Sequence, residues 1–235
     1  YFALTETSNK EYRQWKSEHN SSSIRGLSLD LNDQPVSNIA WQDAALFCNW
    51  LSEKENLPKF YNVVGDRVTS INWDSNGYRL PTESEWSWVA KVTKAGSTKV
   101  FPWNSPSYPP PFVSGNYADE SAKSMLPFTI SNYNDSFPVS ASVGSFQPNE
   151  KGIFNLSGNV AEWVNDFYEI RVNKSEPLVD YRGPNTGNRH VIRGASWALG
   201  SRSELRLSYR EPGYDGKIDV GFRIARYVDK PKGDL

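Results

Sequence analysis

The stretch GIFNLSGNVAEWVND, residues 152–166, indicates the fold more strongly than any other part of the chain. It sets one carboxylate, Glu162, at the end of a run rich in Asn and Gly. Three roles are open to this carboxylate: a catalytic base, a buried counter-ion of Arg193 or Arg223, or one arm of a metal cage. Trp163 beside it indicates burial, which makes a catalytic base the weakest of the three.

The length of the chain predicts one domain. A chain of 235 residues can bury roughly 70–75% of its unfolded surface in one core. No linker rich in Pro, Gly or Ser divides it, and aromatic residues run from Tyr1 to Tyr227. We therefore predict a single domain over residues 1–235. The chain opens without Met, and we expect it to be a fragment of a longer chain with other domains.

Composition excludes several classes of partner. The chain has 26 basic and 27 acidic residues and a net charge of −1, without a basic run or stripe. We therefore predict no nucleic-acid partner. No apolar segment approaches the roughly 20 residues that span a bilayer, so no membrane insertion by this domain is expected. Aromatic residues make up 14% of the chain and hydrophobic residues only 37%, which predicts a core of a few large rings with much irregular backbone.

Capping signals predict two of three helices. The segment TSNKEYRQWKSEH begins a short helix after Thr7 or Ser8, with Glu11 placed to complete a capping box. In YRLPTESEWSWVAKV a short strand is followed by Pro81 and a helix, for which Thr82 is the N-cap and Glu85 occupies the box position.

A longer helix is predicted between them, in WQDAALFCNWLSEKEN, with a cap near Ser37 or Asn38. Its apolar residues recur at helical spacing, and Cys48 falls on that apolar face. We therefore predict that Cys48, the only cysteine of the chain, packs in the core and is no reactive thiol.

Short strands are predicted in the last third, where HVIRGASW, ELRLSYRE and VGFRIARYV alternate apolar and polar residues. Phe222, Ile224 and Tyr227 in the last of these predict an end strand that closes the fold. The proline-rich stretch 96–150 shows few periodic patterns, so it is either disordered or ordered by something other than helix and sheet.

Four motifs together resemble a known family. YRLPTESEWSWVA, GIFNLSGNVAEWVND, VIRGASW and VGFRIAR occur in the order and approximate spacing of the formylglycine-generating enzyme (sulfatase-modifying factor) superfamily. The resemblance runs from about Phe2 to Val228. It implies an α+β fold, a variant of the C-type lectin fold with short strands, a few helices and much irregular structure. It also implies an extracytoplasmic location, periplasmic or secreted.

The resemblance further implies one or two Ca²⁺ ions. By motif match, the first ion would be held by Asn155, the carbonyls of Gly158 and Val160, and Glu162. The second would be held by Asn116, the Tyr117 carbonyl, Asp135 and the Phe137 carbonyl. Ca²⁺ takes roughly six to eight oxygen ligands, which such mixtures of side chains and carbonyls supply. A bound ion would also order the proline-rich middle of the chain.

Copper chemistry is not expected. The enzyme of this family oxidises a substrate cysteine with copper held by two cysteines that follow an R-G-G-S segment. Alignment with RGASWALGSRSELRLSYR puts Leu199 and Glu204 at those two positions. Soft Cu(I) selects thiolates, so we predict no copper and no formylglycine generation. Iron oxygenases usually need two histidines and a carboxylate around one site, and nothing in the sequence brings His19 and His190 together.

The segment after RGAS would line the substrate groove of the family. The candidate groove residues are Trp197, Leu199, Glu204, Arg206, Tyr209, Arg210 and Tyr214. Trp, Tyr and Arg carry much of the binding energy at interfaces, and this set suits a peptide, a protein or a glycan. The alternative is a strand in which Leu205, Leu207 and Tyr209 face the core while Arg206, Ser208 and Arg210 face solvent.

Two classes of function remain. The first is a binding domain without copper, stiffened by calcium, in an exported bacterial protein. The second is an enzyme of the same family with an unrecognised oxidative or hydrolytic activity at the same groove. The missing cysteine pair and the scarcity of histidine favour the binding domain.

Overall fold

The computed structural model describes residues 1–170 and 180–229. Of the predicted domain over residues 1–235, positions 171–179 and 230–235 lie outside the described residues. Within the described part the helices are α1 (Asn9–Tyr12), α2 (Trp41–Lys54), α3 (Glu83–Lys91) and a short 3₁₀ turn (Glu120–Ala122). The strands are β1 (Ser23–Ile24), β2 (Leu27–Ser28), β3 (Tyr61–Val64), β4 (Arg67–Ile71), β5 (Ala161–Phe167), β6 (His190–Arg193), β7 (Arg210–Gly213) and β8 (Val220–Phe222).

A four-stranded sheet in the order β7-β6-β5-β8 forms the centre of the fold. Strand β5 runs antiparallel to β6 and parallel to β8. Successive residues of β5 serve opposite faces, as the strand period of two requires. Trp163 packs in a cluster with α2, and Val164 packs in a second cluster with Trp86 of α3. The stretch 152–166 therefore supplies the strand between the two main helices.

Both predicted capping boxes are present. The Ser8 hydroxyl caps α1 and the Glu11 carboxylate returns to the Ser8 N–H. Thr82 and Glu85 make the same exchange at the start of α3. Because each box satisfies two backbone donors that the helix leaves open, the local sequence is sufficient to set where these helices begin.

The predicted start of the second helix was wrong. Helix α2 begins at Trp41 after Ala40, which makes no side-chain cap bond. Asn38 adopts a left-handed conformation with φ of 58°, and its N–H donates to the Lys217 carbonyl at 2.8 Å. A distant backbone group thus holds residue 38 outside the helix. The core position of Cys48 is confirmed, since its exposed fraction is 0%.

The predicted strand ELRLSYRE was mostly wrong. Strand β7 starts only at Arg210, and turns carry residues 202–208. The Arg193 guanidinium donates to the carbonyls of Leu207, Ser208 and Tyr209 at 2.7–3.1 Å. One buried side chain therefore satisfies backbone groups that a partner strand would otherwise pair. The predicted alternation holds over residues 205–208, where 205 and 207 are buried and 206 and 208 exposed, but Tyr209 and Arg210 are both partly buried.

The other strand predictions are confirmed in part. HVIR forms β6, while VGF forms β8 and Ala225 then bridges to Phe2 and Arg79. The chain end thus closes the fold against the chain start. Residues 96–150 carry only the 3₁₀ turn and one bridge residue, Thr98. In the described residues no helix is long and apolar enough to cross a membrane.

Candidate functional site

Glu162 lies at the centre of a buried polar network. Its carboxylate accepts hydrogen bonds from Arg223 Nε at 2.8 Å and Nη2 at 2.6 Å, and from Trp86 Nε1 at 2.8 Å. Glu162 and Arg223 are 1% and 0% exposed. Burial opposes the charge on Arg223, but the Glu162 carboxylate outweighs it and raises the pKa of the guanidinium. The structure thus places Glu162 as the counter-ion of Arg223, while Arg193 turns to the 207–209 carbonyls.

A second carboxylate, Glu6, belongs to this network and was missed in the sequence. It is 1% exposed and accepts from Asn155 Nδ2 at 3.2 Å and Asn159 Nδ2 at 3.0 Å. Burial raises the pKa of Glu6 to about 7, against the opposite pull of Arg223. Glu6 precedes the first helix in a polar stretch, so no local pattern marks it as buried. Two interior carboxylates here share one guanidinium.

Asn155 presents a free oxygen beside this network. Its residue is 7% exposed, and its Oδ1 atom has no hydrogen-bond partner in the described residues. The loop is tight at Gly158, where φ is 108° and a Cβ would lie 2.9 Å from the Asn116 carbonyl oxygen. Val160 is also buried. Of the first predicted calcium set, Asn155 thus offers an open donor, whereas both oxygens of Glu162 are already engaged.

The second predicted calcium set is brought together by Asp135. Its Oδ2 accepts from the Tyr117 N–H at 2.9 Å and its Oδ1 from the Phe137 N–H at 2.8 Å. Asn116 precedes Tyr117 and is fully buried; its Nδ2 donates to the Val139 carbonyl at 2.8 Å. Its Oδ1 has no partner in the part of the chain that the structure describes.

Asp119 adds a second carboxylate to this loop and was also missed. It is 0% exposed, and its Oδ2 accepts from the Asp135 N–H. Burial first, and the nearby Asp119 charge in addition, raise the pKa of Asp135 to about 7. Among the described residues, no Lys, Arg or His forms an ion pair with either aspartate. The short spacing between Asn116 and Asp119 was the only sequence signal for this carboxylate, and the same spacing is equally typical of a turn.

The donor atoms fit calcium better at this second loop. No cluster of three or more His, Cys, Asp or Glu side chains suited to a metal occurs in the described residues, so an ion would depend on amide and carbonyl oxygens as well. Such hard oxygen donors are those that Ca²⁺ prefers. The loop at Asn116 and Asp135 offers an unpartnered amide oxygen and carboxylates without a cation. At Asn155 the amide oxygen is unpartnered, but Glu162 is paired with Arg223 and both oxygens of Glu6 already accept from the Asn155 and Asn159 amides.

Three of the predicted groove residues make contacts within the protein that hold the loop of residues 195–209. Trp197 is 1% exposed and packs in a cluster with Val160. Leu199 packs against the cluster that contains Trp103. The Glu204 carboxylate accepts from the N–H groups of residues 200 and 201 at 3.2 and 2.8 Å. In this conformation Trp197 offers no surface to a ligand.

The other four groove residues are divided between two places. Arg206 is exposed, and Tyr209 donates to Glu211 at 3.3 Å. Arg210 forms an ion pair with Glu83 of α3 at 2.7 Å. Tyr214 is 62% exposed but follows the far end of β7, where Gly213 pairs with His190. The seven residues therefore do not line one continuous groove.

Leu199 and Glu204, which the resemblance places at the positions of the two copper cysteines, make contacts within the protein, and the one thiol of the chain lies elsewhere. Cys48 lies in α2 inside the main core cluster, and burial raises its thiol pKa well above the ordinary range. The histidines occupy separate environments. His19 contacts the Ser37 carbonyl oxygen at 3.1 Å, whereas the His190 ring stacks on Trp41.

The architecture defines a class of protein: an α+β domain with short strands, few helices and long irregular segments. A solved structure, Treponema denticola variable protein 1, is similar to it with a TM-score of 0.73 and 26% identity. The match covers 98% of this chain and 84% of that one. The fold class predicted from the sequence is thereby confirmed.

The chain belongs to the sulfatase-modifying factor enzyme 1-like domain family, whose model matches residues 3–228. The formylglycine-generating enzyme of Streptomyces coelicolor is 27% identical over 207 residues, or 86% of this chain and 55% of the relative. The inactive C-alpha-formylglycine-generating enzyme 2 of Mus musculus is 28% identical over 216 residues, or 86% of this chain and 59% of the relative. The chain thus spans little more than half the length of these two relatives. The resemblance inferred from the four motifs is confirmed.

Proposed function

We propose that this chain is a binding domain of its family that performs no copper-dependent oxidation. The observation that carries the proposal is the state of the two positions aligned with the copper cysteines. Leu199 packs in an aromatic cluster and Glu204 caps a turn. Neither side chain supplies a thiolate, and the only thiol, Cys48, is buried in α2. One buried cysteine cannot supply the pair of thiolates that would bind Cu(I).

The family context supports a role without oxidation. A relative named as inactive is as similar to this chain, at 28% identity, as one named formylglycine-generating enzyme, at 27%. Sequence identity at this level therefore does not indicate whether this chain has the activity. That question depends on the residues at the site. A peptide or glycan ligand in an exported bacterial protein remains part of the proposal, with the exposed Arg206 and the partly buried Tyr209 of the groove segment as its candidate contacts.

Calcium is proposed as the structural cofactor, first at the loop of Asn116 and Asp135. An ion there would be held by Asn116, Asp135 and Asp119 with the carbonyls of Tyr117 and Phe137. It would supply positive charge to two buried aspartates that have no cationic partner among the described residues. A weaker site at Asn155 would draw on Glu6 and on the carbonyls of Gly158 and Val160, with Glu162 as the distant member because Arg223 engages it.

The proposal is tested with the purified chain by elemental analysis and by an activity assay. We expect one or two calcium ions per chain and no stoichiometric copper or iron. After incubation with copper and oxygen, a cysteine peptide of the sulfatase type should show no formylglycine by mass spectrometry. Formylglycine produced by the wild type would overturn the proposal, and stoichiometric iron would favour the enzyme alternative.

A matched variant makes the negative result informative. Leu199→Cys combined with Glu204→Cys restores two thiols at the aligned positions. We expect this double variant to bind Cu(I) while the wild type does not, since soft thiolates select that ion. Cu(I) binding by the wild type at the level of the double variant would contradict the role assigned to these two positions.

A further inference from the structure

A large cavity lies at the end of the sheet opposite the loop of residues 195–209. It has a volume of about 900 Å³, within the range of roughly 300–1,000 Å³ that small-molecule sites occupy. The start of α2, the β3–β4 hairpin, the end of β5 and the segment 182–190 enclose it. Tyr214 is the only predicted groove residue at its edge. The cavity is therefore a place in the molecule that the proposed function does not use.

Flat aromatic surfaces form one side of this cavity. The rings of Trp41 and His190 are stacked with centroids 3.6 Å apart and planes 5° apart. Phe167 continues the stack on His190 at 4.3 Å. Burial lowers the pKa of His190 to about 4, so the imidazole is neutral at physiological pH. Trp73 lines another wall. Trp41 itself is buried, whereas Phe167, Trp73 and His190 are partly exposed. A ligand ring such as a pyranose can contact these three rings by dispersion through its C–H groups.

The charge of the lining is one-sided. Arg67 and Arg182 both line the cavity, and none of its described lining residues is Asp or Glu. Neither arginine forms an ion pair with a carboxylate in residues 1–170 or 180–229. By contrast, the buried Arg79, Arg193 and Arg223 each have a glutamate partner. Among the described residues the cavity lining therefore carries net positive charge, with two guanidiniums that have no carboxylate partner there and can bind an anion.

The position of Arg182 favours a ligand with both a ring and a carboxylate. Its guanidinium lies 4.3 Å from the centre of the Trp73 ring, which holds the charged group beside an aromatic face. The amides of Asn185 and Asn188 at the same cavity can bond hydroxyl groups. A carboxylate, a ring face and several hydroxyls together describe an acidic sugar. A peptide carboxylate would pair with the arginines but would not contact the aromatic rings of the cavity.

We propose that this cavity binds an acidic sugar residue, a uronic or sialic acid unit of a glycan. The carboxylate pairs with Arg182 and Arg67, the ring lies on the aromatic surface, and the hydroxyls contact the two asparagines. This site is separate from the loop 195–209 and from both calcium loops. Failure of the inference would leave the proposed function standing.

The test is titration of the 235-residue chain with oligosaccharides, followed by tryptophan fluorescence and calorimetry. The panel contains glucuronate and galacturonate oligomers and sialyllactose, with neutral oligomers of glucose and galactose and lactose as matched controls. We expect at least one acidic glycan to bind and its neutral counterpart to bind at least tenfold more weakly. Absence of binding by every acidic glycan would overturn the proposal.

Two matched variants locate the site. Arg182→Gln should weaken acidic-glycan binding by tenfold or more, because it removes the guanidinium held against Trp73. Arg202→Gln makes the same charge change at an exposed position of the 195–209 loop and should leave binding unchanged. Equal affinities of Arg182→Gln and wild type would overturn the site. Binding of an acidic peptide through Arg182 with no acidic glycan bound would overturn the sugar class. Unfolding curves of both variants verify that they fold.

Discussion

Two buried regions of this domain differ in what compensates the negative charge of their carboxylates. Around Glu162, the protein supplies its own cation, and Arg223 neutralises the carboxylate with two hydrogen bonds. Around Asp135, two buried aspartates meet without a cation among the described residues, and the pKa of Asp135 rises to about 7. Buried carboxylates are costly unless they are paired, protonated or bound to a metal. In the first region Glu162 and Arg223 therefore form a complete pair and only Glu6 beside them has a raised pKa, whereas the second region holds no cation among the described residues and needs a proton or an ion.

The largest effect is expected from disrupting the complete region. Arg223→Met leaves Glu162 as a buried charge without its partner, and loss of one member of a buried pair costs about 3–5 kcal/mol. We expect a loss of that size in the free energy of unfolding, measured by urea denaturation. In the double variant Glu162→Met with Arg223→Met, both charges are absent, and the loss should be smaller than for Arg223→Met alone. A double variant less stable than the single one would contradict the pairing argument.

Calcium should act on the incomplete region. Free Ca²⁺ at 100 times its dissociation constant adds about 2.7 kcal/mol of stability, which raises the melting temperature of a domain of this size by roughly 5–10 °C. EDTA should reverse the shift. Asp135→Asn should abolish most of it, whereas Asp33→Asn, at an exposed aspartate, should retain it.

The outcome at Glu162 separates the two regions further. Both of its oxygens are engaged by Arg223 and Trp86, so Glu162→Gln should lower stability in EDTA and keep most of the calcium shift. A calcium shift that is lost in Glu162→Gln and kept in Asp135→Asn would assign the ion to the loop of Asn155. No shift in the wild type, together with no calcium by elemental analysis, would remove calcium from the proposal.

Stability in EDTA should depend on pH through Glu6 and Asp135. Burial raises the pKa of Glu6 from 4.5 and of Asp135 from 3.8, each to about 7. Between the unfolded and the folded pKa, each carboxyl is protonated in the folded state but ionised in the unfolded chain. The free energy of unfolding therefore falls as pH rises from about 4 to 7. At about 1.4 kcal/mol per pKa unit, shifts of this size correspond to roughly 3–4 kcal/mol from each group.

The variants Glu6→Gln and Asp135→Asn isolate this effect from other titrating groups. Each should show a smaller loss of melting temperature between pH 5 and pH 7.5 than the wild type in EDTA, with Asp33→Asn as the control. Calcium should suppress the Asp135 part, because the ion favours the ionised carboxylate. A variant that loses as much stability as the wild type over this range would contradict the assigned pKa.

The smallest effect is expected at Glu204, a partly exposed carboxylate outside both regions. It accepts two backbone N–H groups of its own turn, and such bonds contribute about 0.5–1.5 kcal/mol. Glu204→Gln should lower the melting temperature by a few degrees at most, equally with and without calcium. A calcium-dependent loss would mean that the loop of residues 195–209 is coupled to the ion.

Short-range signals in the sequence predicted the helix starts that depend on them. The capping boxes at Ser8 and Thr82 are complete within four residues, so the structure reproduces them. Helix α2 was predicted to begin too early because its boundary depends on the carbonyl of Lys217, which lies far along the chain. The strand over residues 204–209 failed for the same reason, since Arg193 replaces the partner strand.

The sequence named candidate site residues only where a family motif carried them, and their role in binding an ion stays a prediction. Asn116 and Asp135 were named by motif match, and the structure joins Asp135 to the backbone of the residue after Asn116. Glu6 and Asp119 were missed because their burial arises from tertiary packing, which leaves no periodic pattern. The cavity at His190 was missed because its lining comes from five separated segments.

The hydrogen bonds of the Arg193 guanidinium to the carbonyls of residues 207–209 affect which substitutions this domain tolerates. Because a residue outside the loop anchors the carbonyls of residues 207–209, the loop does not rely on its own exposed side chains for its path. Arg202, Ser203, Arg206 and Ser208 are all exposed. Replacing several of them at once should therefore leave the backbone in place, so this surface is a natural position for a combinatorial library.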